Sequence, residues 1–332
     1  MSEAETQTTE EPTDESTEPE PEAEAEEVET EAEAEQETEP EPEPENTAPD
    51  GALASFRCST GKVRDIINET AMKEGQDPFH SDIYLKVHDN RLETIVAKGN
   101  NSVLTNNTYN EIYFDDLTLE ADSPVGAILP VTRVLDYIEL AEDEKTDGTI
   151  VISLLGNDAE LAKSLQMSGA LNAQFKLPEA QEILDRVPMD LPDRFDDNER
   201  FHSSTGKAHT TYISTTVEQL SKIQTAVNLD SEVDFYPISV ENGEFSLELG
   251  RNEGGERDRT AVWGDLEAAD VKSADGIDSI QNWYNKGFEP LINTISSEIE
   301  IQTSPGAPMA VVKKNHSDRT VRHVLAQVDS GQ

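Results

Sequence analysis

The stretch SDIYLKVHDNRLETIVAKG (Ser81–Gly99) reads as two alternating strands around a tight turn at His88–Arg91, and about 150 residues later SEVDFYPISVENGEFSLELG (Ser231–Gly250) repeats the pattern around Glu241, Asn242 and Gly243. Successive strand side chains point to opposite faces. Apolar–polar alternation on both sides of an Asp-Asn or Asn-Gly step therefore marks a half-buried hairpin. One hairpin written twice raises the question of whether the whole chain is duplicated.

Three further landmarks coincide at an offset of 149–150. FDDLTLEAD from Phe114 matches WGDLEAADV from Trp263, and GTIVISLLG from Gly148 matches SEIEIQTSPG from Ser297. The strand ALNAQFKL, ending at Leu177, falls opposite RTVRHVLA, ending at Ala326. Four landmarks in register predict a tandem duplication. The expected organisation is one domain at 52–177, a connector at 178–199, a second domain at 200–328 and a short tail at 329–332.

Each half reads alike. A short strand (Leu53–Cys58; Ala208–Ile213) leads into a Ser/Thr-capped helix, STGKVRDIINETAM in the first half and TTVEQLSKIQTAV in the second. Val63, Ile66, Ile67 and Thr70, and then Val217, Leu220, Ile223 and Val227, form the apolar stripes. Alternating strands follow, then a second helix, VTRVLDYIELA or IDSIQNWYNKGFEPLINTI around Trp283, then closing strands. The expected class is α+β, with antiparallel sheets and two helices per domain on one face.

Residues 1–50 hold 22 of the 70 acidic residues and no Lys or Arg, in Glu-Pro and Glu-Ala steps such as EPEPEAEAEE from Glu18. Such a segment buries too little apolar area to offset the entropy of ordering, so 1–51 is expected to be a disordered acidic tail. The remaining 48 acidic against 25 basic residues leave the rest near −23. That balance suits molar salt, where the Debye length shrinks to ~3 Å and self-repulsion is screened; a DNA mimic is the rival reading. The single cysteine, Cys58, excludes an intramolecular disulfide framework and fits a reducing compartment. No apolar run reaches the ~18 residues of a membrane span and no signal peptide opens the chain, so a cytosolic protein is expected.

The connector FKLPEAQEILDRVPMDLPDRF (Phe175–Phe195) is broken by Pro178, Pro188 and Pro192 yet carries Ile183, Leu184, Val187, Met189 and Leu191. These residues either pin the connector onto the sheets or offer a docking lip, and the two roles are compatible.

In this order of parts the chain resembles the sliding clamps of the proliferating cell nuclear antigen (PCNA) type over about 53–328. The resemblance is carried by VPMDLPDRF at the end of the connector, by the chain end RTVRHVLAQV, and by LKVHDNRLETIVAKGNNSVL. It implies a homotrimeric ring from a salt-loving archaeon or its virus. The helices would line a hole threaded by duplex DNA, bound without sequence preference. The outer surface would tether a DNA polymerase, and repair proteins too, with a clamp loader among the partners. It implies no catalysis, cofactor or metal. Client peptides of hydrophobic-aromatic character would dock at Val103 and Leu104, the five apolar connector residues, and the tail Leu325, Ala326, Gln327 and Val328, where Gln327 replaces the family's usual proline. Contacts to DNA would come from Lys62, Arg64 and Lys73 on the first helix, Arg133 on the second, Lys222 on the third and Lys286 on the fourth. Acidic neighbours offset these six, so the lining departs from the family's positive norm. Two rivals remain open. One is a clamp-fold decoy that binds clients without encircling DNA, and the other is an unrelated acidic scaffold protein.

Other signals carry less. STGK occurs at 59–62 and 204–207, but neither copy has the preceding glycine or the following Ser/Thr of a phosphate-binding loop. The six histidines lack the spacing of a helical metal site, and carboxylates are too abundant for any pair to mark catalysis.

Overall fold

The computed structural model describes residues 49, 51–74, 77–97, 103–143, 148–157, 160–169, 171–178, 190–228, 235–248, 262–266, 270–274, 277, 279–313 and 316–328. The acidic tail up to residue 48 and residues 179–189 of the connector lie outside them.

The first half begins with β1 (Ala52–Ser59) and α1 (Thr60–Ala71), followed by a short ribbon of β2 (Lys73–Glu74) and β3 (Asp77–Pro78). Next come β4 (Asp82–Val87), β5 (Arg91–Ala97), β6 (Val103–Asn110), β7 (Asp116–Leu119) and β8 (Val125–Pro130). Helix α2 (Val131–Asp143) and strands β9 (Thr149–Leu155), β10 (Ser164–Ser168) and β11 (Asn172–Lys176) close it. The second half runs β12 (Thr211–Thr215), α3 (Val217–Val227), β13 (Phe235–Glu241), β14 (Glu244–Glu248), β15 (Val262–Leu266), β16 (Asp270–Ser273) and β17 (Ser279–Asn285). It ends with α4 (Phe288–Thr294), β18 (Ile299–Thr303), β19 (Met309–Lys313), β20 (Arg319–Leu325) and β21 (Gln327–Val328).

The opening hairpins form as the alternation predicts. In the first, Val87 pairs with Leu92 across the turn, and in the second Val240 pairs with Phe245. Asn242 and Gly243 both adopt positive φ (52° and 82°), which a two-residue turn between right-twisted strands requires. Helix α1 starts where the Ser59 side chain accepts the Lys62 N–H, so the first STGK is a helix cap. Helix α3 has a full capping box: Thr216 accepts from Gln219 N, and Gln219 Oε1 accepts from Thr216 N. The second STGK lies in the turn at Ser203–Gly206.

The strands assemble into three main antiparallel sheets with one logic. In the first half β11-β10-β9-β1-β7 form one sheet and β6-β5-β4-β8 belong to another. In the second half β20-β19-β18-β12-β16 repeat the first order, and β15-β14-β13-β17 repeat the second, with β21 added at its edge. Strand β20 pairs with β6 over seven residues, from Arg319↔Tyr109 to Leu325↔Val103. Two quarter-sheets thereby fuse into one nine-stranded sheet.

Two large apolar cores sit between helices and sheets. One holds Phe56, Cys58, Val63, Ile67, Leu85, Val134 and Ile138; the other holds Ile213, Leu220, Ile223, Tyr236, Phe288, Leu291 and Ile301. Each such fully buried side chain contributes about 1.5–3 kcal/mol relative to exposure.

Three readings need correction. The last helix begins only at Phe288, and Ser279–Asn285 with Trp283 is strand. Ile280, Asn282 and Tyr284 are buried in alternation there, a period-2 pattern that the surrounding helical spacing obscured. The counterpart of β7 is Asp270–Ser273, beyond the place that the FDDLTLEAD match gives, because β16 flanks β12 as β7 flanks β1. The strand expected at Ala208–Ile213 forms at Thr211–Thr215.

Candidate functional site

The helix face carries the expected cations unevenly. Lys62 Nζ lies 3.9 Å from the Asp115 carboxylate and 5.4 Å from the centre of the Tyr113 ring. Arg64 lines a groove of about 430 Å³ between α1 and α2, over Ile67, Ala71 and Leu135 and beside Glu139. Lys73, expected on α1, stands just past it in β2. It closes that groove and also borders a recess of about 420 Å³ lined by Gln224, Asn228, Glu289 and Asn293. Arg133 is exposed in the first turn of α2. Lys222 is exposed on α3 but held 2.9 Å from Glu218, four residues earlier. Lys286 is exposed in the turn before α4 rather than on a helix.

The expected client pocket divides between two faces of one strand. Val103 and Leu104 are sequence neighbours on β6, so they point oppositely. Val103 packs into the second core with Leu325 and Met72, where Gly287 approaches so closely that an added Cβ would lie 2.3 Å from Val103 Cγ2. Val103 and Leu325 are therefore core residues. Leu104 faces outward with Ala310, Val312 and Val324, under Leu191, Phe195 and Phe201. Leu191 is 1 % exposed, so this end of the connector is pinned to the sheet. Ile183, Leu184, Val187 and Met189 lie outside the described residues. Ala326 is half-buried, and Gln327 and Val328 form β21 against Tyr284 and Trp283.

The connector end is strapped down by polar contacts as well. Arg322 Nη2 donates to Glu199 Oε1 at 2.8 Å, and its guanidinium lies 5.0 Å from the centre of the Phe195 ring. Gln302 Nε2 donates to the Glu199 carbonyl at 2.6 Å, and its Oε1 accepts the Phe201 N–H at 2.8 Å.

The sequence reading missed the seam between the halves. Glu69, in the last turn of α1, accepts from Lys313 Nζ of β19 at 2.6 Å and from Tyr109 OH at 3.1 Å, with Arg319 Nη2 of β20 also 3.1 Å away. Thr70 Oγ1 lies 2.8 Å from Thr94 Oγ1 and accepts from Asn107 Nδ2 at 3.1 Å. His323 sits in the middle of the β20–β6 ladder with Nδ1 2.9 Å from Thr105 Oγ1. Burial, with His80 and Lys313 nearby, pushes the His323 pKa down to about 3, so the imidazole is neutral. A sequence signal did exist. Glu69 sits in the buried stripe of α1, and Lys313 ends a strand, MAVVK, whose every residue is buried. A charge in such a place needs a partner.

Solved structures share this arrangement of strands and helices. A PCNA from Thermococcus kodakaraensis aligns over 83% of this chain and 100% of its own, at TM-score 0.55 and 15% identity. The fold is that of a sliding clamp. An A. fulgidus PCNA, solved with the C-terminal region of FEN-1 bound, aligns over 84% of this chain and 100% of its own, at TM-score 0.57 and 12% identity. A putative DNA polymerase III beta subunit from Eubacterium rectale aligns over 83% of this chain but 65% of its own, at TM-score 0.56 and 12% identity. No protein-family model and no curated protein matches the chain. The clamp fold is thus recognised through its geometry. Among the described residues no helix is long and apolar enough to cross a membrane.

Proposed function

We propose that the chain is a DNA sliding clamp: a homotrimer whose copies join edge to edge around duplex DNA and tether a polymerase and other clients by topology. One observation carries this reading. Both halves have the same strand order, and the β20–β6 pairing joins one end of a first-half sheet to one end of a second-half sheet within the chain. The counterparts of β20 and β6, β11 and β15, are edge strands of the described sheets. Pairing β11 of one copy with β15 of the next repeats the internal joint, and repetition by a fixed rotation closes a ring and leaves no such edge exposed.

The six basic residues named above are assigned to the DNA side. Lys73, Arg133, Lys222 and Lys286 are exposed, and Lys62 and Lys222 are already engaged by carboxylates. A closed ring needs little phosphate affinity to remain on DNA, so so sparse a lining is sufficient in high salt. Client peptides are assigned to the outer face beside Leu104 and the Ala326–Val328 tail. The peptide-bound A. fulgidus clamp supports that choice. The net acidic balance supports a high-salt cytoplasm as the setting.

The test is retention on DNA. A cysteine pair engineered across β11 and β15 of neighbouring copies is oxidised in the presence of nicked circular DNA, and the complex is then washed in detergent. The expected result is covalent trimers that remain on circles and are lost when the DNA is linearised. Equal retention on circular and linear DNA, or none on circles despite cross-linked trimers, would overturn encirclement.

A further inference from the structure

This inference builds on the ring reading and concerns the chemistry of the joint between copies. Within the chain, the joint is ionic and polar, with buried Glu69 and Lys313 and half-buried Arg319 together and Thr70, Thr94, Asn107 and Tyr109 linked beside them. The repeat shows what stands at the matching positions of the open edges. The caps Ser59 and Thr216 begin α1 and α3, so Glu69 corresponds to Ala226 and Thr70 to Val227. The hairpin pairs Val87↔Leu92 and Val240↔Phe245 place Thr94 opposite Leu247. The next strand pairs, Thr94↔Asn107 and Leu247↔Trp263, put Trp263 where Asn107 stands, and Leu92↔Tyr109 and Phe245↔Leu266 put Leu266 where Tyr109 stands. Lys313 pairs with Ile299, whose counterpart is Ile150, so Lys313 corresponds to Gly169, the residue after the Ser168↔Val151 pair. Arg319 lies on a hairpin that spans 313–321 beyond its last ladder pair, Val312↔Arg322, whereas the first-half hairpin spans only 169–171. Each residue of this cluster is thus Gly, Ala or a larger apolar residue at the corresponding place, or has no counterpart, whereas Arg322, which donates to Asn106 across the β20–β6 ladder, corresponds to Asn172.

The surface beside β11 has the same character. Leu171, in the β10–β11 turn, is 38% exposed, and Leu140 on α2 is 57% exposed. Tyr137, three residues before Leu140 on α2, donates its hydroxyl to the Leu171 carbonyl and ties the helix to this turn. Large apolar side chains at an open sheet edge mark a surface that another chain covers.

We infer that β11, with the exposed Leu140 and Leu171 beside it, joins the β15 edge of the next copy through apolar contacts and without an ionic seam. The dependence of this contact on solvent is then opposite to that of an ion-paired joint. Salting-out anions strengthen apolar burial and chaotropic anions weaken it. Added salt of any kind also screens repulsion between acidic copies, so the identity of the anion at fixed ionic strength separates the two effects.

The full chain is followed by size-exclusion chromatography with light scattering, across dilution, in sodium sulfate and in sodium thiocyanate at equal ionic strength. Circular dichroism confirms that both samples are folded. The expected result is a mass three times 36.6 kDa that persists to lower protein concentration in sulfate than in thiocyanate. In sulfate, Leu171→Asp and Leu140→Asp shift the mass toward the monomer without lowering the melting temperature, and Leu171→Ala shifts it less. Identical dilution curves in the two anions, or dissociation as potassium chloride rises, would overturn the apolar joint while leaving the ring intact. A monomer in every condition would overturn both.

Discussion

The two ends of the first helix pair and the two ends of the second make an instructive comparison. At the end of α1, Glu69 and Thr70 face a buried network that reaches strands of the other half. At the end of α3, Ala226 and Val227 occupy the same places and pack as ordinary core. The duplicated scaffold tolerates both because backbone pairing alone defines it. Side chains at the seam are free to differ, and they set how each joint responds to salt, acid and mutation. A permanent joint within one chain can hold a buried ion cluster, which is assembled once during folding. A joint that forms between separate copies meets the desolvation cost of any buried charge at each association.

Removing the hub should have the largest effect. Glu69→Ala leaves Lys313 buried without a counter-charge and half-buried Arg319 with Asp318 alone, 3.6 Å away, and an uncompensated buried cation costs about 3–5 kcal/mol. Thermal unfolding in high salt reads this as a drop in melting temperature, while Ala226→Ser at the matching place should cost far less. Equal losses would erase the distinction between the two helix ends.

Gly287→Ala tests how closely the halves approach. The new methyl group would sit 2.3 Å from Val103 Cγ2 and 2.8 Å from Asn285 Oδ1, an overpacking that costs about 1–3 kcal/mol in denaturant titrations. A neutral result would mean that β6 shifts freely against β17 and α4.

Acid should act on the ladder itself. The folded-state pKa of His323 lies near 3, below its ordinary 6.5, so the unfolded chain binds the extra proton first. The contribution of neutral His323 is complete above about pH 6.5 and is lost as pH falls toward 3. Glu93 adds to the same trend. Burial raises its pKa, but hydrogen bonds from His88 and Arg91 outweigh burial and bring it to about 2, so its contribution is lost as pH falls from 4.5 toward 2. Urea midpoints measured against pH should decline through both windows, and His323→Leu should flatten the upper one. An unchanged slope in that variant would remove His323 as a cause.

The smallest effect is local. Thr216→Ala removes one side of the capping box and should cost about 1 kcal/mol, comparable to Ser59→Ala at the first helix. A much larger loss in either one would show that the two caps are not equivalent supports.

Much of this fold was legible because it is written in short-range patterns. The hairpins at Ser81 and Ser231 and the stripes on α1, α2 and α3 follow from periods of 2 and 3.6, and these survive in the chain without knowledge of partners. The last helix was misplaced because SIQNWYN carries both periods at once, and burial of Ile280, Asn282 and Tyr284 decided for the strand. The candidate site was less legible. Val103 and Leu104 are one apolar pair in the sequence, but they belong to different faces once β6 has partners on both sides.

By itself the sequence determined the duplication, the α+β class, the acidic excess and the places of three helices, since each depends on composition or on residues a few positions apart. Only the tertiary structure decided that β20 joins β6, that Glu69 meets Lys313 and Arg319, and that β11 and β15 remain as edges. Those contacts link residues more than a hundred positions apart, and no local period records them. The hairpin at Ser81 thus revealed the repeat, but the charges at its seam became visible only when the two halves met.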